Sequence, residues 1–344
     1  MFFGISTYKE GKAGRISLNR PKALHTLNRE MCDAITVALM GWINDPDVEL
    51  VLIDHKDGTR GFCAGGDIAM LSESGQTDSK EARKFFTAEY RLNSLIADYP
   101  KPYIAIMDGV TMGGGVGLAV HGSHRIATER TLLAMPETGI GLFPDVGGSW
   151  FLPRLEGELG TWLALTGAKL KGSDVLAVGL ATHFCESYAL NELKRNLCRF
   201  GLEALNGYRT KAVFSLAHRM EEINELFAGD RASVIRLQLE QGSKWAKHQA
   251  TKMAAKSPRS TTIALRQIRT GRYLSSVQDA LRLEYRIATR LVGCDDFHEG
   301  VRARIVDKDN YPMWQPNSLK RIGQDDVAKY FLPLTSGELE FLEL

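Results

Sequence analysis

The 344-residue chain reads as an α/β protein whose sheet-rich first half is closed by helices. Three observations predict this. Short apolar, β-branched runs alternate with helix-length segments up to about residue 188. From Ala189 onward the strand pattern stops and only helical periodicity continues. Two glycine-rich turns follow two of the apolar runs, where a strand ends. Strands separated by helical crossovers favour parallel pairing. The expected organisation is a core at 1–188 that carries the functional site and a helical region at 189–344 packed over it, with no low-complexity linker and no internal repeat.

Taken in order, the strand candidates are Arg15–Leu18, Leu50–His55, Tyr103–Met107, Arg125–Thr128 and Leu132–Ala134. Asn28 is placed to cap a helix whose apolar positions Met31, Ile35, Leu39 and Trp42 recur at helical spacing. A second helix is expected over Lys80–Ala97, burying Phe85, Phe86, Leu92, Leu95 and Ile96. Gly114 through Val120 reads as a short helix after the second glycine run. In the second half the periodicity predicts helices over Leu190–Phe200, Lys211–Phe227, Ala232–Lys252, Arg259–Gly271 and Val277–Leu291. Their connections carry turn residues, as in AGD at 228–230 and KSP at 256–258.

Composition narrows the partner. Lys plus Arg number 43 against 41 Asp plus Glu, a formal charge of +2, which is no footprint for a nucleic-acid surface. A small anionic ligand needs only a few local cations and remains compatible. No apolar run approaches the ~18 residues of a membrane span, and MFFGISTYKEGKAGRISLN has no signal-like core. Five cysteines with no C-x-x-C pair predict free thiols in a reducing compartment. The expectation is a soluble cytoplasmic protein, with a mature organellar matrix form also compatible.

The chemistry concentrates in GFCAGGD at 61–67 and in the stretch from Tyr103 to Pro153, which contains MGGGVG and MPETGIGLFPDVGG. Glycine lets bare backbone N–H groups approach a ligand oxygen, and Glu137 and Asp145 add ionisable groups close by in the chain. Neither glycine segment fits a phosphate-binding P-loop or a dinucleotide fingerprint, and GGSWF at 147–151 fails the serine-esterase elbow at its last position. His121 and His124 lack the companions of a metal site and read as structural, so no metal is expected.

The segments NRPKAL (19–24), FCAGGDI (62–68), MGGGVGLA (112–119) and MPETGIGLFPDVGG (135–148) resemble the crotonase, or enoyl-CoA hydratase/isomerase, superfamily. SPRSTTIALRQI (257–268), LEYRIATRL (283–291) and DFHEGVRARIVDKD (296–309) extend the likeness, which spans about residues 14–316 and leans toward a branch that hydrolyses a hydroxyacyl-CoA thioester of valine breakdown. The resemblance implies a spiral of β-β-α turns with helices closing its end. It also implies an acyl-CoA substrate, with no cofactor beyond the coenzyme A of the substrate itself, and an oxyanion bound by the amides of Gly66 and Gly114. Such donors stabilise a thioester's developing negative charge, each worth about 3 kcal/mol.

Related hydratases carry two glutamates to handle water. Here the first of those positions is Gly117 and the second is Glu137. Asp145 stands where many relatives have a small residue, and the hydrolase branch has an aspartate. The expected catalytic set is therefore Glu137, Asp145, Gly66 and Gly114, with Glu89 also at the substrate. Two routes stay open for Glu137, attack on the thioester to form a mixed anhydride or activation of water, with Asp145 orienting or activating the water. Bland roles stay open too: Asp145 as a helix cap, and Glu89 or Lys22 as solvated side chains. The resemblance places the coenzyme against Lys22, Ala23 and Leu24 and against Ala64, Asp67 and Ile68, with His25 replacing a frequent asparagine. A hydratase, a non-catalytic acyl-CoA binder and a homo-oligomer all remain compatible with the sequence.

Overall fold

The computed structural model describes residues 4–208 and 211–344. Nine strands are present among the described residues: β1 Ile5–Glu10, β2 Ala13–Leu18, β3 Leu50–His55, β4 Tyr103–Met107, β5 Val110–Met112, β6 His124–Ala127, β7 Leu132–Ala134, β8 Leu170–Lys171 and β9 His183–Phe184. They form a six-stranded sheet in the order β1-β2-β3-β4-β6-β9 and a three-stranded sheet in the order β5-β7-β8. The β1–β2 hairpin is antiparallel; from β2 to β9 every neighbouring pair in the larger sheet is parallel.

The first-half helices are α1 Arg29–Trp42, α2 Ile68–Gly75, α3 Lys80–Ala97, α4 Gly114–Val120, α5 Gly148–Phe151, α6 Leu159–Thr166 and α7 Ser173–Ala177. The second half contributes α8 Leu190–Phe200, α9 Met220–Leu226, α10 Ala232–Gln241, α11 Lys244–Ala254, α12 Pro258–Gly271, α13 Val277–Leu291, α14 Asp295–Val301 and α15 Gln324–Ala328.

Strand alternation divides the large sheet between two cores. In β3, Val51 and Ile53 join the main core, while Leu50 and Leu52 join Ile104, Ile106 and Ile126 under Leu190, Leu193 and Leu197 of α8. The main core runs from Ile5 to Leu339 and takes in α12 and α13 as well as α1 and α3, so the C-terminal helices cover the sheet-bearing part. The architecture is the expected α/β core with a helical region packed on it.

Local signals behave as the chain predicts at several points. The Asn28 side chain accepts from the Met31 amide at 2.9 Å, capping α1. Ser257 of KSP caps α12, with Pro258 in its first turn. Three expectations are corrected. The run Ala232–Lys252 is two helices, because Gly242 ends one and Ser243 caps the next through the Ala246 amide. Lys211–Phe227 is helical only at its end, a 3-10 turn at Ala217–Arg219 leading into α9. Strands β1, β5, β8 and β9 add to the five expected; three of the four are two or three residues long, too short to show a period.

Candidate active site

The first glycine loop follows β3 and the second follows β5, a short strand that intervenes after β4, and the two are laced together. A parallel bridge pairs Cys63 with Thr111, through Cys63 N to Val110 O and Met112 N to Cys63 O, both 2.9 Å. Gly113 has φ 47° and ψ −122°, a conformation costly for any side chain, and turns the backbone so that α4 starts at Gly114. A Cβ on Gly114 would lie 2.3 Å from Glu89 Oε1 and 3.4 Å from the Gly65 carbonyl carbon, so the bare residue admits both loop and acid. Among the described residues the Gly66 and Gly114 amides donate to no carbonyl, and both glycines line one cavity.

That cavity has a volume of ≈ 70 Å³ and is bordered by Gly66, Gly114, Phe85, Phe86, Ile140 and Leu142, with Glu89, Glu137 and Asp145 as its carboxylates. Its size suits an acyl end, far below the ~300–1,000 Å³ of a site for a whole drug-sized ligand. The structure thus brings all four expected catalytic residues and Glu89 to one place. Glu137 opens a 3-10 turn, Glu137–Ile140, after β7, and Glu89 projects from α3.

All three acids are buried. Glu137 Oε2 and Glu89 Oε1 have no hydrogen-bond partner among the described residues, an arrangement costly for a carboxylate unless a ligand or proton satisfies it. Burial, reinforced by Asp145, holds the Glu137 carboxyl well above the usual range. Burial, then Asp145, Glu137 and Glu284, does the same to Glu89, which favours its protonated, donating form. Asp145 is pushed by burial up to about 6, opposed by the Tyr90 hydroxyl, which donates to its Oδ2 at 2.8 Å.

Asp145 is not a helix cap: Gly147, at φ 89°, occupies the cap position of α5. Glu89, 2 % exposed, is not a solvated helix glutamate. Gly117 is closed off, since a Cβ there would lie 2.7 Å from Val146 Cβ and 2.9 Å from Asn93 Nδ2. The space a second hydratase glutamate would need is already filled.

The proposed coenzyme segments are joined as well. Ala64 N donates to Leu24 O at 3.0 Å and Leu27 N to Gly65 O at 2.8 Å, while Leu24 and His25 hold positive φ. Lys22 lines an open cleft of ≈ 400 Å³ with Arg20, Pro21 and Asn28, and Ala64 and Ile68 border the acyl cavity. Asp67 is engaged: it caps α2 through the Met70 amide and pairs with Arg20 at 3.0 Å. His25 is inside, its Nδ1 accepting from the Arg20 amide at 2.9 Å and its Nε2 donating to Thr59 Oγ1 at 2.8 Å. His121 lies 2.8 Å from Val146 O through Nε2, and His124 stacks on His183.

Sequence reasoning missed Tyr90, Asn93, Gln267 and Glu284. Each is polar and buried, and Glu284 stands on the apolar stripe Ala280, Leu281, Ile287, Ala288, Leu291 of α13, a placement that flags a polar task.

The family model for enoyl-CoA hydratase/isomerase matches residues 13–331. The chain belongs to that family. Among its relatives, "3-hydroxyisobutyryl-CoA hydrolase, mitochondrial" of Xenopus laevis is 45% identical over 351 residues, covering 98% of this chain and 91% of the relative. Two solved structures of this enoyl-CoA hydratase/isomerase-like shape are each 39% identical. The carnitinyl-CoA dehydratase of Mycobacterium thermoresistibile has a TM-score of 0.94 and 98% of each chain covered. The enoyl-CoA hydratase of Rhodobacter sphaeroides 2.4.1 has a TM-score of 0.91, with 98% of this chain and all of that one covered.

Proposed function

We propose that the protein hydrolyses an acyl-CoA thioester, 3-hydroxyisobutyryl-CoA first among substrates, giving 3-hydroxyisobutyrate and coenzyme A, a step of valine breakdown. The observation that carries this is the pairing of Glu137 and Asp145 in one cavity beside two unengaged amides, while Gly117 and its filled surroundings leave no room for a hydratase's other glutamate. Relatives named for this hydrolase activity support it.

In the proposed reaction the thioester oxygen accepts from the Gly66 and Gly114 amides, which hold the charge that grows there as the carbonyl carbon is attacked. The dipole of α4 acts in the same sense at Gly114. Glu137 attacks the carbonyl carbon to give a mixed anhydride that water then hydrolyses, or it takes the proton of an attacking water and passes it to the sulfur; in either route Asp145 orients the water. The C–S bond breaks, the sulfur leaves with a proton, and one water is consumed per thioester. Neutral Glu89 donates to the substrate hydroxyl. Lys22, Ala23, Leu24, Ala64, Asp67 and Ile68 take the coenzyme. Water and thioester are the only reactants. The five cysteines, all free thiols, suit a reducing compartment, the cytoplasm or an organellar matrix, and a homo-oligomer is compatible. Among the described residues no helix is long and apolar enough to cross a membrane.

Thiol release from 3-hydroxyisobutyryl-CoA, run beside loss of the crotonyl-CoA double bond, tests the reading. Faster loss of the double bond would favour hydration, the activity in the name of the Rhodobacter sphaeroides relative.

A further inference from the structure

Asp145 sits on a turn that cannot hold its shape alone. Val146 has φ 50°, a left-handed conformation rare for a β-branched residue, and Gly147 follows at φ 89°. A Cβ on Gly147 would lie 2.3 Å from the His121 ring, so the turn is wedged as well as twisted.

The restraint comes from 137 residues away. Glu284, 0 % exposed on α13, accepts from the Gly147 amide through Oε2 and from the Ser149 amide through Oε1, both at 2.7 Å. Burial pushes the Glu284 carboxyl up to about 8, opposed by the Gly147 and Ser149 amides, and both of its oxygens are committed to these short bonds. The two amides are the otherwise open donors at the N-terminus of α5. Gln267 of α12 adds bonds to Pro144 O and to Ser149 Oγ, so both ends of the turn are tied to the C-terminal helices. From the other side Tyr90 of α3 fixes the Asp145 carboxylate itself.

We infer that Glu284 is a positioning residue for the hydrolytic step: it holds the Pro144–Ser149 turn so that Asp145 faces Glu137 and the thioester. This rests on the proposed thioesterase reading. It also gives the helical half a part in the chemistry, since α13 supplies the clamp that the glycine-loop half lacks.

A double-mutant cycle tests it. Glu284→Gln leaves one acceptor oxygen and turns an NH2 group toward an N–H donor. Thiol release from 3-hydroxyisobutyryl-CoA should then fall about 30- to 100-fold in kcat with KM within about 3-fold, the scale of a misplaced reacting group. Glu284→Asp, which keeps two acceptor oxygens, should recover part of that loss. In an Asp145→Asn background the same Glu284→Gln change should cost less than about 3-fold, because the group it positions is gone. Hydrogen exchange at the Gly147 and Ser149 amides should accelerate in Glu284→Gln.

Equal, multiplicative losses in both backgrounds would overturn the inference, as would lost amide protection with an unchanged kcat. If Glu284→Gln does not fold, the cycle is run with Glu284→Asp under the same criteria. If the wild-type chain cleaves no acyl-CoA, the thioesterase reading fails. The clamp is then decided by exchange alone: faster exchange in the variant supports it and unchanged exchange overturns it.

Discussion

Replacing Tyr90 with Phe removes one hydroxyl and leaves the ring packing of α3 intact, so it isolates the bond to Asp145. That hydroxyl is buried and donates at 2.8 Å to a carboxylate that has no other side-chain partner among the described residues. A hydrogen bond to a charged group is worth about 1.5–3 kcal/mol. One pH unit of pKa corresponds to about 1.4 kcal/mol. Loss of the donor therefore weakens the anion and should raise the Asp145 pKa from about 6 to roughly 7–8. Asp145 and Glu137 both work ionised, and the ratio of the two proteins' rates at each pH cancels the ionisation of Glu137 and follows that of Asp145. At pH 6 the wild type is half ionised and Tyr90→Phe about 1–10 %, a drop of roughly 5- to 50-fold in kcat. At pH 9 the two should agree within about 2-fold. The assay is thiol release from 3-hydroxyisobutyryl-CoA across pH 5–9.5. Superimposable profiles, or an equal loss at every pH, would refute the assignment of Asp145 as the ionising group that Tyr90 tunes.

Asp145 also sets a stability trade. Its folded pKa of about 6 lies above the ordinary 3.8, so the folded state binds the extra proton between these values and stability falls as pH rises through them. Asp145→Asn should be about neutral at pH 4 and up to about 3 kcal/mol more stable at pH 8, read from denaturant midpoints at both pH values. Glu89→Leu removes the donor expected to meet the substrate hydroxyl, and the kcat/KM preference for 3-hydroxyisobutyryl-CoA over isobutyryl-CoA should fall at least about 10-fold. An unchanged preference would take Glu89 off the hydroxyl. Gly117→Glu forces a side chain against Val146 and Asn93, and should lower stability by more than about 2 kcal/mol without producing crotonyl-CoA hydration. A stable variant that hydrates would show that the filled space is not what bars that chemistry.

The parts of the site read from sequence are those with local causes. Backbone donors at a tight approach need glycine, so the loops at 61–67 and 112–117 announce themselves in one dimension. Glu137 follows the strand Leu132–Ala134 closely enough to be placed with it. Tyr90 was invisible for the opposite reason: it adjoins Glu89 in a helix, and its task appears only when a turn 55 residues later folds against it. Glu284 stands in the chain as an acid on an apolar stripe, yet its partners, two main-chain amides, carry no side-chain signature. Helix extents followed periodicity where the stripe was long, as in Lys80–Ala97 and Val277–Leu291. The break at Gly242-Ser243 came from a cap that competes with a continuing pattern.

Thioester cleavage at this site depends on two main-chain amides meeting one thioester oxygen beside Glu137. The most direct test is a crystal structure of the Glu137→Gln protein with 3-hydroxyisobutyryl-CoA bound. The thioester oxygen should lie about 2.7–3.1 Å from both the Gly66 and Gly114 amide nitrogens, with residue 137 facing the carbonyl carbon. A thioester lodged elsewhere, or its oxygen turned away from either amide, would contradict it.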